Sequence, residues 1–266
     1  LPVIGPARMK EREARMAALF RPLDDEIAKL IAAREGRLAD GPQDLLARLV
    51  AAKDDETGQG LTAQEVRDEV ITIFIAGHET TATAMGWLWY VLSQQPAEEA
   101  RLHEELDRVL GGRTPTQEDL ANLPYTRRVV DETMRLFPPA PGISNRVALE
   151  SDEVGGHKVK PGDNMLVFPW VLHRHRDLWE DPERFDPDRF LPERSVGRHR
   201  FAYMPFGAGP RICIGQMMAV NEIILILATL AQKFRLELAP EADVKLKHNI
   251  TLRPLHGLPM ILRHRR

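Results

Sequence analysis

Between Thr62 and Gln94 the chain carries one unbroken helical period, and this constrains the fold more than any other feature. Val66, Val70, Ile73, Gly77, Ala84, Leu88 and Val91 recur on one face. Thr62 followed by Glu65 is a capping box at the start, and Pro96 closes the run. At its usual rise such a helix is about 50 Å long, enough to cross a whole domain. The remaining elements have to be arranged around it.

Those elements can be read in order. Arg8 to Ala33 is charged and periodic, with Met16, Leu23, Ile27 and Leu30 near one face of an amphipathic helix. Asp40-Gly41-Pro42 is a break. Pro42 to Ala52 reads as a short helix with proline just inside it, and Asp54 to Gly60 as a polar turn. Ala97 to Leu110 is a helix stopped by Gly111-Gly112, and Pro124 to Leu136 one stopped by Pro138-Pro139. From Gly142 to Phe168 the pattern becomes that of a small sheet. Ser144 to Ala148, His157 to Val159 and Asn164 to Phe168 are separated by Gly155-Gly156 and Pro161-Gly162-Asp163. His173 to Trp179 suggests a helical turn. Asp181 to Pro205 is an ordered loop longer than most connections. Ile214 to Phe234 reads as a helix burying Ile223, Leu227, Leu230 and Phe234, and Val244 to His264 as strand pieces. The sum is a mainly α fold with a small β region.

Composition excludes several classes. The 266 residues are 43% hydrophobic and 28% charged, which is ordinary globular usage. A net charge of -3 argues against a nucleic-acid binder. One cysteine permits neither an intrachain disulfide nor a cysteine-rich zinc site. The longest apolar stretch, Ile223 to Ala231, is far too short to span a membrane. The chain opens at Leu1 as if in the middle of something, so a preceding N-terminal part is expected. Its preference for arginine over lysine hints at a bacterial source, and given such a source a cytoplasmic location is expected.

The single cysteine lies in Phe206-Gly-Ala-Gly-Pro-Arg-Ile-Cys-Ile-Gly215, a glycine-rich turn entering a helix. Unpaired N–H groups and the helix dipole at such a place favour a thiolate, and glycines let the backbone approach a flat ligand. A thiolate so held suits haem iron. Taken alone, Cys213 could equally be a buried structural cysteine or a nucleophile with a histidine partner. In the middle of the long helix stands Ala76-Gly77-His78-Glu79-Thr80-Thr81, an acid and two hydroxyls beside glycine, poor choices for a helix interior. A zinc reading of His78-Glu79 fails because Ala82 stands where a second histidine is needed. His173 and His175 form a weak pair, read as surface or capping residues. Glu132-Thr-Met-Arg135 places opposite charges three residues apart on a helix.

Together these segments resemble the cytochrome P450 family. The cysteine loop matches its Phe-x-x-Gly-x-Arg-x-Cys-x-Gly signature, Ala76 to Thr81 its oxygen-binding motif, and Glu132 to Arg135 its Glu-x-x-Arg element. The resemblance covers nearly the whole chain, residues 1–266, as the C-terminal haem-binding portion of one such domain. It implies haem b as cofactor, with Cys213 as the iron ligand. Arg211 would pair with one haem propionate and Arg146 with the other, and Phe206 would pack beside the sulfur. Ala76, Gly77 and Gly215 would also face the haem. Thr80 would be the oxygen-activating hydroxyl and Glu79 a proton relay. The ion pair would gain a third partner from Pro182-Glu-Arg-Phe185 or Pro187-Asp-Arg-Phe190, and Arg189 of the second is the choice. Ile73, Ala76, Ala140, Ile143, Ile250 and Thr251 match substrate-pocket positions.

The implied reaction inserts one oxygen atom into an apolar small molecule. Electrons would come from NAD(P)H through a ferredoxin or flavoprotein reductase. The rival readings are a haem-thiolate isomerase or dehydratase of the same fold, a remnant that no longer takes haem, and a thiol hydrolase. These 266 residues alone are expected to hold haem loosely and to turn over negligibly.

Overall fold

The computed structural model describes residues 6–35, 37, 41 and 43–265. The chain divides into two compact units, Leu1–Ala76 and Gly77–Arg266.

In the first unit the charged periodic segment forms α1 (Pro6–Glu35). Its buried stripe is Ile27 and Ile31, with Leu23 packed beside them and Val66 opposite. Met16 and Leu30, expected on that face, are exposed. Residues at four-residue steps stay on one stripe. Leu30 falls beside it, and Met16 lies two turns before the packed stretch. The helix α2 (Leu45–Ala51) is capped by Asp44, which accepts the Ala47 N–H at 3.0 Å. It therefore starts later than the Pro42 expected from sequence. Asp40 and Pro42 lie outside the described residues. Thr62 and Glu65 make the expected capping box of α3 (Ala63–Gln94). The Thr62 N–H donates to Glu65 at 2.7 Å, and the Glu65 N–H to the Thr62 hydroxyl at 3.3 Å.

The second unit begins within α3, whose later turns supply Ala84, Leu88, Val91 and Leu92 to a continuous apolar core. Trp87 is fully buried beneath them. It stacks on Phe137 at 4.6 Å, and its indole N–H donates to the Leu252 carbonyl at 2.7 Å. Leu102 and Leu106 of α4 (Pro96–Leu110), Val129 and Met134 of α5 (Pro124–Leu136), and Ile223 and Leu227 of the later helix complete the core. Helix α4 stops where expected, at Gly111 in the left-handed region with φ 56°. The buried Glu105 carboxylate accepts the Tyr125 and Thr126 N–H groups at 2.8 and 2.7 Å. A glutamate of one helix thus satisfies the unpaired donors at the start of the next.

The β region consists of antiparallel two-stranded ladders. β1 (Ile143–Val147) pairs with β4 (Asn164–Val167), and β2 (Asp152–Val154) with β3 (His157–Val159). The second hairpin turns through Gly155 and Gly156, both at positive φ. The sequence pattern missed β2, a short polar strand exposed along its whole length. The short helix expected at His173 to Trp179 forms earlier, as α6 (Pro169–Leu172), and the following residues make turns. The 181–205 loop holds a 3₁₀ turn, Pro187–Phe190, and α7 (Pro192–Ser195).

Helix α8 spans Gln216–Ala231, shorter than the periodicity suggests. Phe234 does not close its buried face but opens β5 (Phe234–Leu238), and Leu230 is exposed. Pairing with the chain's tail overrides the helical pattern, because β5 lies in full register with β8 (Met260–His264). β6 (Leu246–His248) and β7 (Leu252–Pro254) form the remaining ladder. The mainly α fold with a small β region is as expected. Among the described residues, no helix is long and apolar enough to cross a membrane.

Trp87→Phe keeps a ring in the core but leaves the buried Leu252 carbonyl without its donor. The expected loss is about 1–3 kcal/mol, read from the urea unfolding midpoint. Trp87→Ala should cost about 3–5 kcal/mol. Equal midpoints for wild type and Trp87→Phe would show that water replaces the bond.

Candidate functional site

The cysteine loop is fixed by its own backbone. The Cys213 N–H donates to the Phe206 carbonyl at 3.0 Å, and the Gly207 N–H to Met204 at 3.1 Å. Gly207 and Gly209 sit at φ 78° and 73°, where a side chain would strain the turn. A 3₁₀ turn over Gly209–Arg211 follows, and Gly215 caps α8. Among the described residues Cys213 is exposed. Apolar side chains surround its loop in the open. Ile212, Ile214, Met217 and Met218 are all exposed, Ile214 at 97%. A Cβ added at Gly215 would lie 3.8 Å from the Cys213 sulfur. Arg211 and Phe206 stand in the same loop, Arg211 exposed and Phe206 packed against the core. Behind the loop is a cavity of about 280 Å³ lined by Arg127, Asp131, Tyr203, Phe206, Gly207 and Ile212.

On α3, Gly77 is exposed, and nothing lies within 4 Å of a Cβ built on it. Glu79 accepts hydrogen bonds from the Thr251 hydroxyl and the Arg253 guanidinium, and Arg253 Nε also donates to Thr251 at 2.9 Å. The Thr251 bond, and after it Arg253, holds the Glu79 carboxyl below the usual carboxylate range. Arg253 was not singled out in the sequence, where nothing distinguishes it from other tail arginines. Thr80 is half-buried, and the Thr81 hydroxyl is buried without a hydrogen-bond partner among the described residues.

The charged pair of α5 is fully buried. Arg135 donates from Nε and Nη2 to the two Glu132 oxygens at 2.7 and 2.9 Å. Its other N–H groups reach the carbonyls of His173, Pro182 and Arg184 at 2.8, 2.7 and 3.1 Å. Glu132 also accepts the Asp186 N–H at 2.9 Å. The third cation beside it is Arg189, whose Nε lies 3.4 Å from Glu132 at ion-pair distance without a hydrogen bond. Arg184 offers its carbonyl instead. Burial pushes the Glu132 carboxyl up, while the two guanidiniums and the Asp186 N–H pull it back.

His173, read from sequence as a surface or capping residue, is fully buried. Its Nε2 accepts the Met204 N–H at 3.0 Å, and its Nδ1 lies 3.2 Å from the Arg135 carbonyl. The Tyr203 hydroxyl donates to Asp131 at 3.1 Å. Neither contact is legible in the sequence, since both depend on where the 181–205 loop folds back.

The other expected residues are less closely gathered. Ile143 lies against the cysteine loop, its side chain 3.8 Å from a Cβ built on Gly207. Ala140 is half-buried, Arg146 is exposed on β1, and Ile250 is 92% exposed. Thr251 is buried and turned to Glu79. Ile73 and Ala76 belong to the first unit.

The His173 environment gives a pH dependence. Burial lowers its pKa to about 3, so the fold favours neutral imidazole. Its contribution is complete above the ordinary value near 6.5 and is lost as pH falls toward about 3, because only the unfolded chain then takes up the proton. Across that window the loss approaches about 1.4 kcal/mol per pH unit. Urea titrations at pH 7, 6 and 5 should show wild type losing stability relative to His173→Gln on acidification. Parallel curves would count against a neutral buried ring.

A family model described as cytochrome P450 matches residues 7–258. Cyclooctatin synthase of Streptomyces melanosporofaciens is 41% identical over 263 residues, 97% of this chain and 55% of that protein. Cyclooctat-9-en-7-ol 5-monooxygenase of the same organism is 40% identical over 241 residues, 90% of this chain and 50% of its own. Among solved structures, the cytochrome P450DA heme domain matches with a TM-score of 0.89 at 33% identity, covering 97% of this chain and 56% of that one. The chain thus spans about half the length of these relatives.

Proposed function

The chain belongs to the cytochrome P450 family, and from that premise we propose that the whole protein is a haem-thiolate monooxygenase acting on an apolar organic molecule. The observation that carries this reading is Cys213, an exposed thiol in a backbone-fixed loop rimmed by exposed apolar side chains. A flat, largely apolar group with a metal at its centre suits such a surface. Gly77, with open space above it, adds a second face that admits a ring. Arg211 and Arg146 supply guanidiniums for the two propionates. The residues present fit haem b.

When bound, haem supplies the iron on which dioxygen is reduced and split, using two electrons from NAD(P)H. We assign their delivery to a separate ferredoxin or flavoprotein reductase. The chain's own residues do the rest. Cys213 gives its thiolate sulfur to the iron, and Phe206 covers the loop behind it. The Thr80 hydroxyl would donate a hydrogen bond on the oxygen-binding side of the site and relay protons received from solvent. The Glu79 carboxylate, its Oε1 held by Thr251 and Arg253, would pass protons from solvent. Within the second unit, Ile143, Ala140, Ile250 and Thr251 would bound the apolar substrate. Glu132, Arg135 and Arg189 hold the loop beneath. A relative named as a 5-monooxygenase supports this reaction class. The retained Glu79 and Thr80 set it above an isomerase or dehydratase.

Two measurements test the assignment. Cys213→Ala should abolish the red-shifted band of the reduced carbon monoxide complex, since the chain has no second cysteine. A variant that keeps the thiolate-type band ends the idea. Thr80→Ala should retain haem yet waste reducing equivalents as peroxide. Product per NAD(P)H should fall at least about tenfold, within the range a positioned proton donor supplies. Unchanged coupling removes Thr80 from the role.

A further inference from the structure

The cysteine loop needs an attachment to the rigid part of the second unit, and it has one outside its own signature. Residues 203 and 204 lead directly into it. The Met204 carbonyl accepts the Gly207 N–H that starts the turn, and the Met204 N–H is bound by His173 Nε2 at 3.0 Å. On the other side of the same ring, Nδ1 lies 3.2 Å from the Arg135 carbonyl. The His173 carbonyl in turn accepts from Arg135 Nη1 at 2.8 Å. Backbone N–H groups only donate and carbonyls only accept, so both contacts form together in one state alone, the neutral ring with its proton on Nδ1. Tyr203 packs beside the imidazole at 5.4 Å and makes a second attachment to α5 through Asp131.

We infer that His173 is a positioning residue, a neutral imidazole that couples the buried Glu132–Arg135 pair to the loop carrying Cys213 by donating to Arg135 and accepting from Met204. A displacement of Arg135 moves the ring through two bonds, and the ring moves Met204 and the start of the turn. Full burial keeps the imidazole uncharged at neutral pH and preserves the acceptor. The consequence for a bound metal rests on Cys213 being its thiolate ligand. The bridge itself does not.

The test uses the whole natural protein with haem, and the same protein depleted of it. His173→Phe keeps a ring and loses both bonds, whereas His173→Gln offers one donor and one acceptor on a primary amide. In the haem-free protein, amide exchange over residues 202–207 should quicken about tenfold in the Phe variant, the worth of one buried bond. Exchange in α4 should not change, and the Gln variant should restore the slow rate. With haem, the Phe variant should shift part of the reduced carbon monoxide band from thiolate to thiol type, and Gln should reverse it. Unchanged exchange in a folded Phe variant overturns the bridge, and so does equal disturbance by Phe and Gln, which would mean packing alone. Faster exchange with an unaltered band overturns the coupling to Cys213. A wild type without any thiolate band defeats the reading of Cys213 instead, and the exchange arm still decides the bridge.

Discussion

The Glu132–Arg135 pair is the contact on which the second unit's geometry depends. Removing two charges from water costs several kcal/mol per ion, recovered only when every remaining lone pair and proton is matched. Here the match is complete on the cation. A guanidinium has five N–H groups, and Arg135 places them on the two Glu132 oxygens and on the carbonyls of His173, Pro182 and Arg184. Glu132 receives the Asp186 N–H in addition. Deleting either partner strands a buried charge, a loss of about 3–5 kcal/mol. Because the acceptors are backbone carbonyls across residues 173–184, the pair dictates the path of the chain rather than only adding to stability.

That path explains how a long loop without a regular period stays ordered. Arg189 docks beside Glu132 and bonds the carbonyls of Glu180, Asp181 and Arg184. Arg198 bonds the Arg189 carbonyl and lies 4.4 Å over the Trp179 ring, with Arg135 also 5.1 Å from that ring. Guanidiniums satisfy carbonyls where strands or helices would otherwise do so. The loop is then held through its backbone carbonyls as well as by buried side chains such as Phe185, and it delivers Tyr203 and Met204 to α5 and His173. The cysteine turn begins two residues later.

The sequence made the long α3, the helices at 96–110 and 124–136, and the cysteine turn legible, because each rests on local chemistry. A capping box, a helix-stopping glycine, proline at the first helical position and positive-φ glycines all act within a few residues. Arg189, chosen over Arg184 on the family resemblance, is the one whose Nε lies 3.4 Å from Glu132. What could not be read was set by distant partners. Phe234 follows a helical period yet is claimed by a strand thirty residues later. Leu30 fits an apolar stripe that α2 and Val66 do not reach. His173 looks like a surface histidine until Arg135 and Met204 enclose it. Arg253 becomes informative only when folding brings it to Glu79.

Glu79 and Glu132 show how environment separates the tasks of two carboxylates on different helices. Glu132 is shut away from water between guanidiniums, where any movement exposes uncompensated charge. It is suited to fixing geometry and to nothing that requires exchange. Glu79 is held in the open by Thr251 and an Arg253 that is itself half exposed. Exposed pairs are worth about 0.2–1 kcal/mol and are screened by salt, so thermal motion can open this one. When it opens, the Thr251 and Arg253 contacts that keep the carboxyl acidic go with it, and the group's affinity for a proton rises at the moment it becomes free to carry one. A weak, exposed latch is therefore compatible with proton transfer in a way a buried pair is not. The strong pair holds the chain beneath the cysteine loop in place, and the weak one leaves the acid on α3 free to move.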